Sequence, residues 1–174
     1  MNEVVSNINA LIEAAAKLGN IALYGVADPI VIRDDSESIY PVIINNEGEC
    51  HDVLFDDSKD LSLYHRLQNK SYNTTVVAGY GDDPQRSVVY DMSMIVCGKR
   101  SSINTYEMEQ LCVSAIEGAT NAKCRVKCEA VNTNFNRMQV FISEYTGVQF
   151  PIQPNIFLFK ISYKITRVKS PCKN

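Results

Sequence analysis

Hydrophobic residues near the start of the chain recur three and four positions apart. This spacing predicts a helix from about Asn2 to Leu18, because it stacks the apolar side chains on one side. That side consists of Val4, Ile8, Leu11, Ala15 and Leu18. Gly19 follows directly, and glycine favours the left-handed conformation that ends many helices. We therefore expect an amphipathic helix that covers one side of a sheet.

The stretch NIFLFKISYKITRVK at positions 155–169 alternates instead with a period of two. Successive side chains of a strand point to opposite faces, so this pattern predicts a two-faced strand. Its apolar face consists of Phe157, Phe159, Ile161, Tyr163 and Ile165, and its polar face of Lys160, Ser162, Lys164 and Thr166. Residues 156–167 would extend about 40 Å, twice the usual strand length. Such a strand tends to project beyond its own core, and a neighbouring subunit is one candidate to cover it.

Short apolar segments separated by turn residues fill the region after the first helix. Residues 21–27, 30–33, 38–45 and 50–55 are strand candidates, and Pro41 favours an edge position for the third of them. The following segment is polar, and we expect a long variable loop at about 56–86, with one short helical turn near 61–67.

The second half of the chain returns to regular patterns. Alternation predicts strands at 87–99 and 124–131. Between them, Asn104 followed by Glu107 is typical of a helix start, and Gly118 marks the end of that helix. Residues 134–147 suit a further helix, with a strand as the alternative.

This order of elements predicts an α+β fold, with a mainly antiparallel β-sheet and two to three helices packed on one face. The 174 residues are expected to form a single domain that ends in a basic tail at about 167–174. Residues 1–5 lack the positive segment of a secretory signal, and no apolar run is long enough to span a bilayer. The six cysteines are therefore expected to be free thiols in a reducing compartment.

Charge is distributed unevenly along the chain. Residues 1–120 hold 18 acidic and 8 basic residues, a net charge of −10, whereas residues 121–174 hold 9 basic and 2 acidic residues, a net charge of +7. The two parts either lie against each other within one fold, or lie on opposite surfaces that meet between copies of the protein.

Residues of the types that catalyse reactions occur without the spacing that catalysis needs. Cys50 and His51 are neighbours on a predicted strand and point to opposite faces, so they do not pair. His65 falls in the expected loop and is interpreted as a solvated surface residue. Paired aspartates at 34–35, 56–57 and 82–83 occupy apparent turns, where aspartate caps local amides. We expect neither an enzyme nor a bound cofactor or metal.

The lysines of the last strand have a simpler role than nucleic-acid binding. The aromatic residues of that strand lie on the opposite face, which fits a core better than a platform for base stacking. If residues 87–98 pair antiparallel with 156–167, Asp91 faces Lys160 or Lys164 across the ladder. We therefore predict a cross-strand charge pair.

The sequence resembles the small tail-completion (tail-terminator) and head–tail connector neck proteins of tailed bacteriophages. The resemblance lies in the opening helix, the segment YPVII at 40–44, the strand–helix unit at 87–119 and the closing strand IFLFKISYKIT at 156–166. It implies a tail-terminator-like fold and a structural virion protein that joins the capsid portal to the tail.

The resemblance also implies partners. These are further copies in a homo-oligomeric ring (a hexamer or dodecamer), other neck, portal or tail proteins, and genomic DNA that passes through the ring without sequence-specific binding. Assembly would occur in the bacterial host cytoplasm, without a membrane. The candidate subunit-interface residues are charged: Asp34, Asp35, Asp56, Asp57, Asp82, Asp83, Arg167, Lys169 and Lys173.

Two other function classes remain open. One is a cytosolic α+β domain that binds a ligand or regulates a partner, which a pocket with convergent polar groups would support. The other is an enzyme whose carboxylates converge from distant positions such as Asp82, Asp83 and Asp91.

Overall fold

A computed structural model describes residues 1–31, 39–44, 47–53, 58–75, 85–133 and 154–168. These ranges contain two helices and eight strands. In chain order they are α1 (Asn2–Ala16), β1 (Ile21–Val26), β2 (Asp28–Val31), β3 (Ile39–Ile44), β4 (Cys50–Asp52), β5 (Leu61–Thr75), β6 (Gln85–Lys99), α2 (Thr105–Gly118), β7 (Cys124–Asn132) and β8 (Ile156–Val168).

The strands form two sheets. The larger sheet has the order β1-β5-β6-β8-β7, and only its β1–β5 pair is parallel. The smaller sheet has the antiparallel order β2-β3-β4. The α+β fold with a mainly antiparallel sheet is therefore confirmed.

The main core lies between the two helices and one face of the larger sheet, which we call the inner face. β8 contributes the alternating set that the sequence predicted, and all five residues are buried there: Phe157, Phe159, Ile161, Tyr163 and Ile165. Met92, Met94 and Val96 of β6 join the same cluster. Helix α2 packs Met108, Cys112 and Ile116 against it. The two-faced reading of β8 is thus confirmed.

Both predicted helices are present, with one correction. Asn104 caps α2, because its side chain accepts a hydrogen bond from the Tyr106 amide, and that helix ends at Gly118. Helix α1 is rotated from the predicted face and buries Val4, Val5, Ile8, Ile12 and Ala16, whereas Leu11 is 37% exposed. Its left-handed cap is Lys17, with φ of 50°, rather than Gly19. Apolar residues on both sides of the helix made the face ambiguous.

The predicted loop at 56–86 is wrong over most of its length. Residues 61–75 form β5, which pairs with β6 from Leu61↔Gly98 to Thr75↔Gln85. No helical turn forms near 61–67. The inner side of β5 reads Leu61, Leu63, His65, and the histidine interrupts the apolar series that would have revealed a strand. Residues 76–84 lie outside the described ranges.

A second cluster lies on the opposite, outward face of the larger sheet. Tyr64, Ile95 and Leu158 of that sheet pack there with Ala27 and Val53. The smaller sheet thus covers one end of the outward face.

Strand β3 is the central strand of the smaller sheet, although Pro41 predicted an edge. Pro41 lies opposite Pro29 in β2, and its carbonyl accepts a bond from the Val53 amide just after β4. A residue's nitrogen and carbonyl point to the same side of a strand, so the nitrogen of Pro41 faces the place where β4 has ended. The position therefore requires no N–H donor. The helix predicted at 134–147 lies outside the described residues.

Candidate assembly interface

The predicted pair between Asp91 and Lys164 is present on the outward face. The two residues are register partners in β6 and β8, and Lys164 Nζ lies 3.9 Å from Asp91 Oδ1. Lys164 is closer to a third residue, at 3.3 Å from Glu129 Oε2 of β7. Lys127 Nζ approaches the other oxygen of Glu129 at 3.3 Å. On the β5 side, Asn69 Nδ2 donates to Asp91 Oδ2 over 3.4 Å.

These contacts form one polar row across four strands. The row reads Asn69, Asp91, Lys164 and then Lys127 with Glu129. Hydrogen bonds from Lys127 and Lys164 hold the pKa of Glu129 below its ordinary value. The side chains of the row are between 33% and 67% exposed, so the ion pairs contribute little to stability. Sequence reasoning missed Glu129, because the bulge between Cys128 and Ala130 sets the register of β7.

Lys160 does not face Asp91. It lies opposite Ile95 in β6 and Asn132 in β7, and Ile95 is four residues along β6 from the predicted partner. The side chain is half-buried, and burial together with the nearby Arg66 charge lowers the pKa of its ammonium group. Of the two predicted lysine partners, only Lys164 pairs with Asp91.

Most of the candidate subunit-interface residues lie outside the described ranges. These are Asp34, Asp35, Asp56, Asp57, Asp82, Asp83, Lys169 and Lys173. The ninth, Arg167, is exposed near the end of β8, where it is the register partner of Val88 and Cys124. The described structure instead shows two features that were not predicted, one edge of strand β5 and an acidic helical surface.

The first feature is one edge of β5. Strand β1 accompanies β5 only as far as His65, and no described strand continues along the segment 66–75. On the inner side of this segment, Tyr72 is 67% exposed, and Lys70 Nζ lies 5.2 Å from the centre of its ring. Backbone amides and carbonyls at such an edge are a template for pairing with another chain.

The acidic surface is formed by the two helices, which pack side by side over the sheet. They carry the carboxylates Glu3, Glu13, Glu107, Glu109 and Glu117, and neither helix contains a lysine or arginine. All five are exposed or half-exposed. These glutamates could be recognised within the two predicted helices, but the prediction of an acidic interface was based on the aspartate pairs of the turns.

His65 was predicted to be a solvated loop residue and is instead fully buried. Its Nδ1 lies 2.7 Å from the Tyr163 hydroxyl, and its Nε2 lies 2.9 Å from Asn9 Oδ1. Asn9 donates its amide to the Tyr24 carbonyl, so its oxygen accepts from His65. The ring therefore carries its proton on Nε2 and accepts from the tyrosine at Nδ1. Burial lowers the pKa of His65 to about 3.

This network joins α1 to the centre of the sheet. Every polar atom of the imidazole has a partner in the neutral state, and a second proton would remove the acceptor that Tyr163 uses. A neutral, fully hydrogen-bonded histidine without a reactive neighbour fits a structural role. Burial also raises the pKa of the Tyr163 hydroxyl.

An open cleft of about 460 Å³ lies beside the start of α2. Its walls are polar: Arg100, Asn104, Thr105, Tyr106, Glu109 and Thr133. Arg100 donates from Nη1 to the Thr105 hydroxyl over 2.8 Å, which fixes the guanidinium at the wall of the cleft.

Potential metal ligands do not cluster among the described residues. No group of three or more His, Cys, Asp or Glu side chains in that part of the chain is placed to hold a metal. The described cysteines carry free thiols: Cys50, Cys97, Cys112, Cys124 and Cys128. Burial and the charge of Glu109 raise the pKa of Cys112, which opposes formation of the nucleophilic thiolate.

No family model matches the chain, and no curated protein matches it. Neither of the described helices is long and apolar enough to cross a membrane.

Proposed function

We propose that this protein is a structural virion protein, which forms a ring in the neck or tail of a bacteriophage and joins the capsid portal to the tail. The observation that carries the proposal is the segment 66–75 of β5, along which no described strand continues after β1 ends. A sheet edge of this kind is a template for pairing with another chain. In the proposed assembly, a neighbouring copy covers this edge.

Three further features support assembly. Strand β8 pairs with β6 over its whole length from Ile156 to Val168, and β5 pairs with β6 as far as Thr75. The three strands therefore form a continuous ribbon beyond the end of β1. The tip of this ribbon carries Tyr72, an aromatic residue of the kind that anchors interfaces. The third feature is the sequence resemblance to tail-terminator and neck proteins, which includes the opening helix and the long closing strand.

The sequence resemblance implies a ring of six or twelve copies. Head-to-tail contacts between two different surfaces of each copy close into rings when the rotation per subunit closes. Portal, neck and tail proteins would then bind the two faces of the ring, and the genome would pass through the lumen without readout of its sequence.

The proposal is tested by a substitution at Tyr72, near the tip of the ribbon formed by β5, β6 and β8. We expect the purified protein to form closed rings, seen by negative-stain electron microscopy and sized by light scattering. Tyr72→Glu should weaken this association at least about tenfold, since it places a charge in a desolvated contact. The matched control is Ile44→Glu, because Ile44 is also exposed but lies in the smaller sheet. Monomers at every concentration, or equal effects of the two substitutions, would contradict the proposal.

The cleft beside α2 favours a second candidate, a domain that binds a small polar ligand. Its volume and its convergent Arg100, Thr105 and Tyr106 side chains meet the general description of a ligand site. A panel of anionic metabolites screened by thermal shift distinguishes the two functions. A saturable shift that Arg100→Gln abolishes, in a protein that remains monomeric, would favour ligand binding.

A further inference from the structure

The larger sheet separates two surfaces of opposite charge. Arg125 and Lys127 alternate along β7 with Cys124 and Val126, which are buried against the helices. The two cations therefore point to the outward face, away from α1 and α2. Lys164 joins them there through its register with Lys127.

We call these three exposed cations, Arg125, Lys127 and Lys164, the basic strip. Two carboxylates, Asp91 and Glu129, lie beside it and orient the lysines. Lysine has three donors, and those not directed at Glu129 remain available to a partner. The half-buried Lys160 adds a further positive charge to the same face.

The acidic helical surface lies on the other side of the sheet. Its five carboxylates face no lysine or arginine within either helix. The sheet lies between these helical carboxylates and the basic strip, so the two surfaces do not meet within one molecule. Elsewhere the two parts of the chain do meet within one fold, because Asp91 pairs with Lys164.

We propose that the acidic helical surface of one copy docks on the basic strip of the next copy. This inference rests on the proposed ring and names the surfaces that close it. The contact is heterologous, because each copy offers a different surface to each neighbour, and such contacts generate rings. Charge complementarity selects a second copy as the occupant, since the same chain supplies both signs on opposite faces.

The proposed contact is small and charged, so we expect it to be weak and sensitive to salt. Two helices side by side offer a surface of about 20 by 20 Å, which is smaller than the roughly 800 Å² per partner of a standard interface. A single contact of this kind is weak, and exposed charges are screened at high ionic strength. Closure of the ring then holds the subunits together through many such contacts at once.

The test exchanges the charges of the two surfaces. E13K/E117K reverses charge on the helices, and R125E/K127E reverses it on the strip. Each variant should associate at least about tenfold more weakly than the wild type, measured by light scattering at about 50 mM NaCl. The quadruple variant E13K/E117K/R125E/K127E should recover association, because its two surfaces again carry opposite charges. E47K/E49K has the same charge change in the turn before β4 and should behave as the wild type.

Circular dichroism of each variant verifies the fold. Recovery in the quadruple variant would also show that the double variants lose association through charge repulsion and not through misfolding. Association of E13K/E117K at wild-type strength would overturn the inference while leaving the ring itself standing. A folded quadruple variant that fails to recover would overturn it as well. If R125E/K127E loses binding to a DNA duplex but still assembles, the strip belongs to nucleic acid and not to a second copy. Absence of any wild-type association would overturn both this inference and the proposed ring.

Discussion

At the scale of single residues, His65 shows how a polar group is accommodated in an apolar core. Burying an unpaired polar group costs about 1–3 kcal/mol, and burying a charge costs more. His65 avoids both costs, because Asn9 and Tyr163 satisfy its two nitrogens while the ring stays neutral. Because the ring must stay neutral in the folded state, this arrangement lowers the stability of the folded protein when the pH falls.

We expect His65 to make the protein sensitive to mild acid. The unfolded chain binds a proton on this residue at the ordinary pKa of 6.5, whereas the folded protein excludes that proton until about pH 3. Stability is therefore fully present above pH 6.5 and decreases as the pH falls towards 3. The free energy of unfolding should drop by about 2 kcal/mol between pH 8 and pH 5. Urea unfolding at both values measures the change.

The control uses the only other histidine of the sequence, His51, which is exposed in β4. His65→Gln should remove most of the dependence between pH 5 and 8, and His51→Gln should leave it intact. An unchanged slope in the His65 variant would show that other groups carry the pH dependence.

The sequence could not reveal this network. Histidine beside Arg66 in a polar stretch is typical of a surface, and its partners are 56 and 98 positions away. In contrast, Asp91 and Lys164 were predictable, since two alternating strands placed antiparallel bring them together. Short-range pattern thus predicts contacts within a ladder, but not contacts that depend on how a helix crosses a sheet.

At the scale of elements, the sequence predicted those whose apolar period is uninterrupted. Strands β6 and β8 and helix α2 have clean patterns and were placed within a few residues. Strand β5 was missed, because its inner side contains a histidine and its outer side is polar apart from Tyr64. The exact face of α1 was missed as well, since apolar residues occur on both sides of the helix.

The pairing of β6 with β8 includes one close approach that we expect to be essential. Gly98 lies opposite Phe157, and a Cβ at this position would meet the phenyl ring at 2.6 Å and the Asp60 carbonyl at 3.1 Å. Phe157 is fully packed, so it has little room to move. Gly98→Ala should therefore lower the free energy of unfolding by about 1–3 kcal/mol in urea titrations.

Gly25→Ala is the matched control. It changes the same residue type within a strand, and nothing lies within 4 Å of the added Cβ. Its effect should be neutral or slightly stabilising, because alanine restricts the unfolded chain. Equal destabilisation by the two substitutions would mean that the Phe157 contact is not the cause.

At the scale of the whole molecule, two features of the described residues bear on the proposed assembly. No described strand continues along the β5 edge at 66–75. The carboxylates of the helices and the cations of the basic strip lie on opposite sides of the larger sheet. The charge difference between the two parts of the chain indicated the second feature, but only the fold could assign these charges to faces. In the proposed assembly, a neighbouring copy would cover the edge and bring the two charged surfaces together.

Hydrogen exchange in the monomer and in the assembly should distinguish edge pairing from contact through side chains alone. If a neighbour pairs with β5, amides in the segment 66–75 that face away from β6 should exchange at least about tenfold more slowly in the assembly. Strand β8 is an internal control, because β6 and β7 already flank it in the monomer. Protection confined to α1, α2 and β7 would mean that the charged surfaces form the contact and that the β5 edge stays open. Slower exchange of β5 that persists in R125E/K127E would show that the edge contact forms independently of the basic strip.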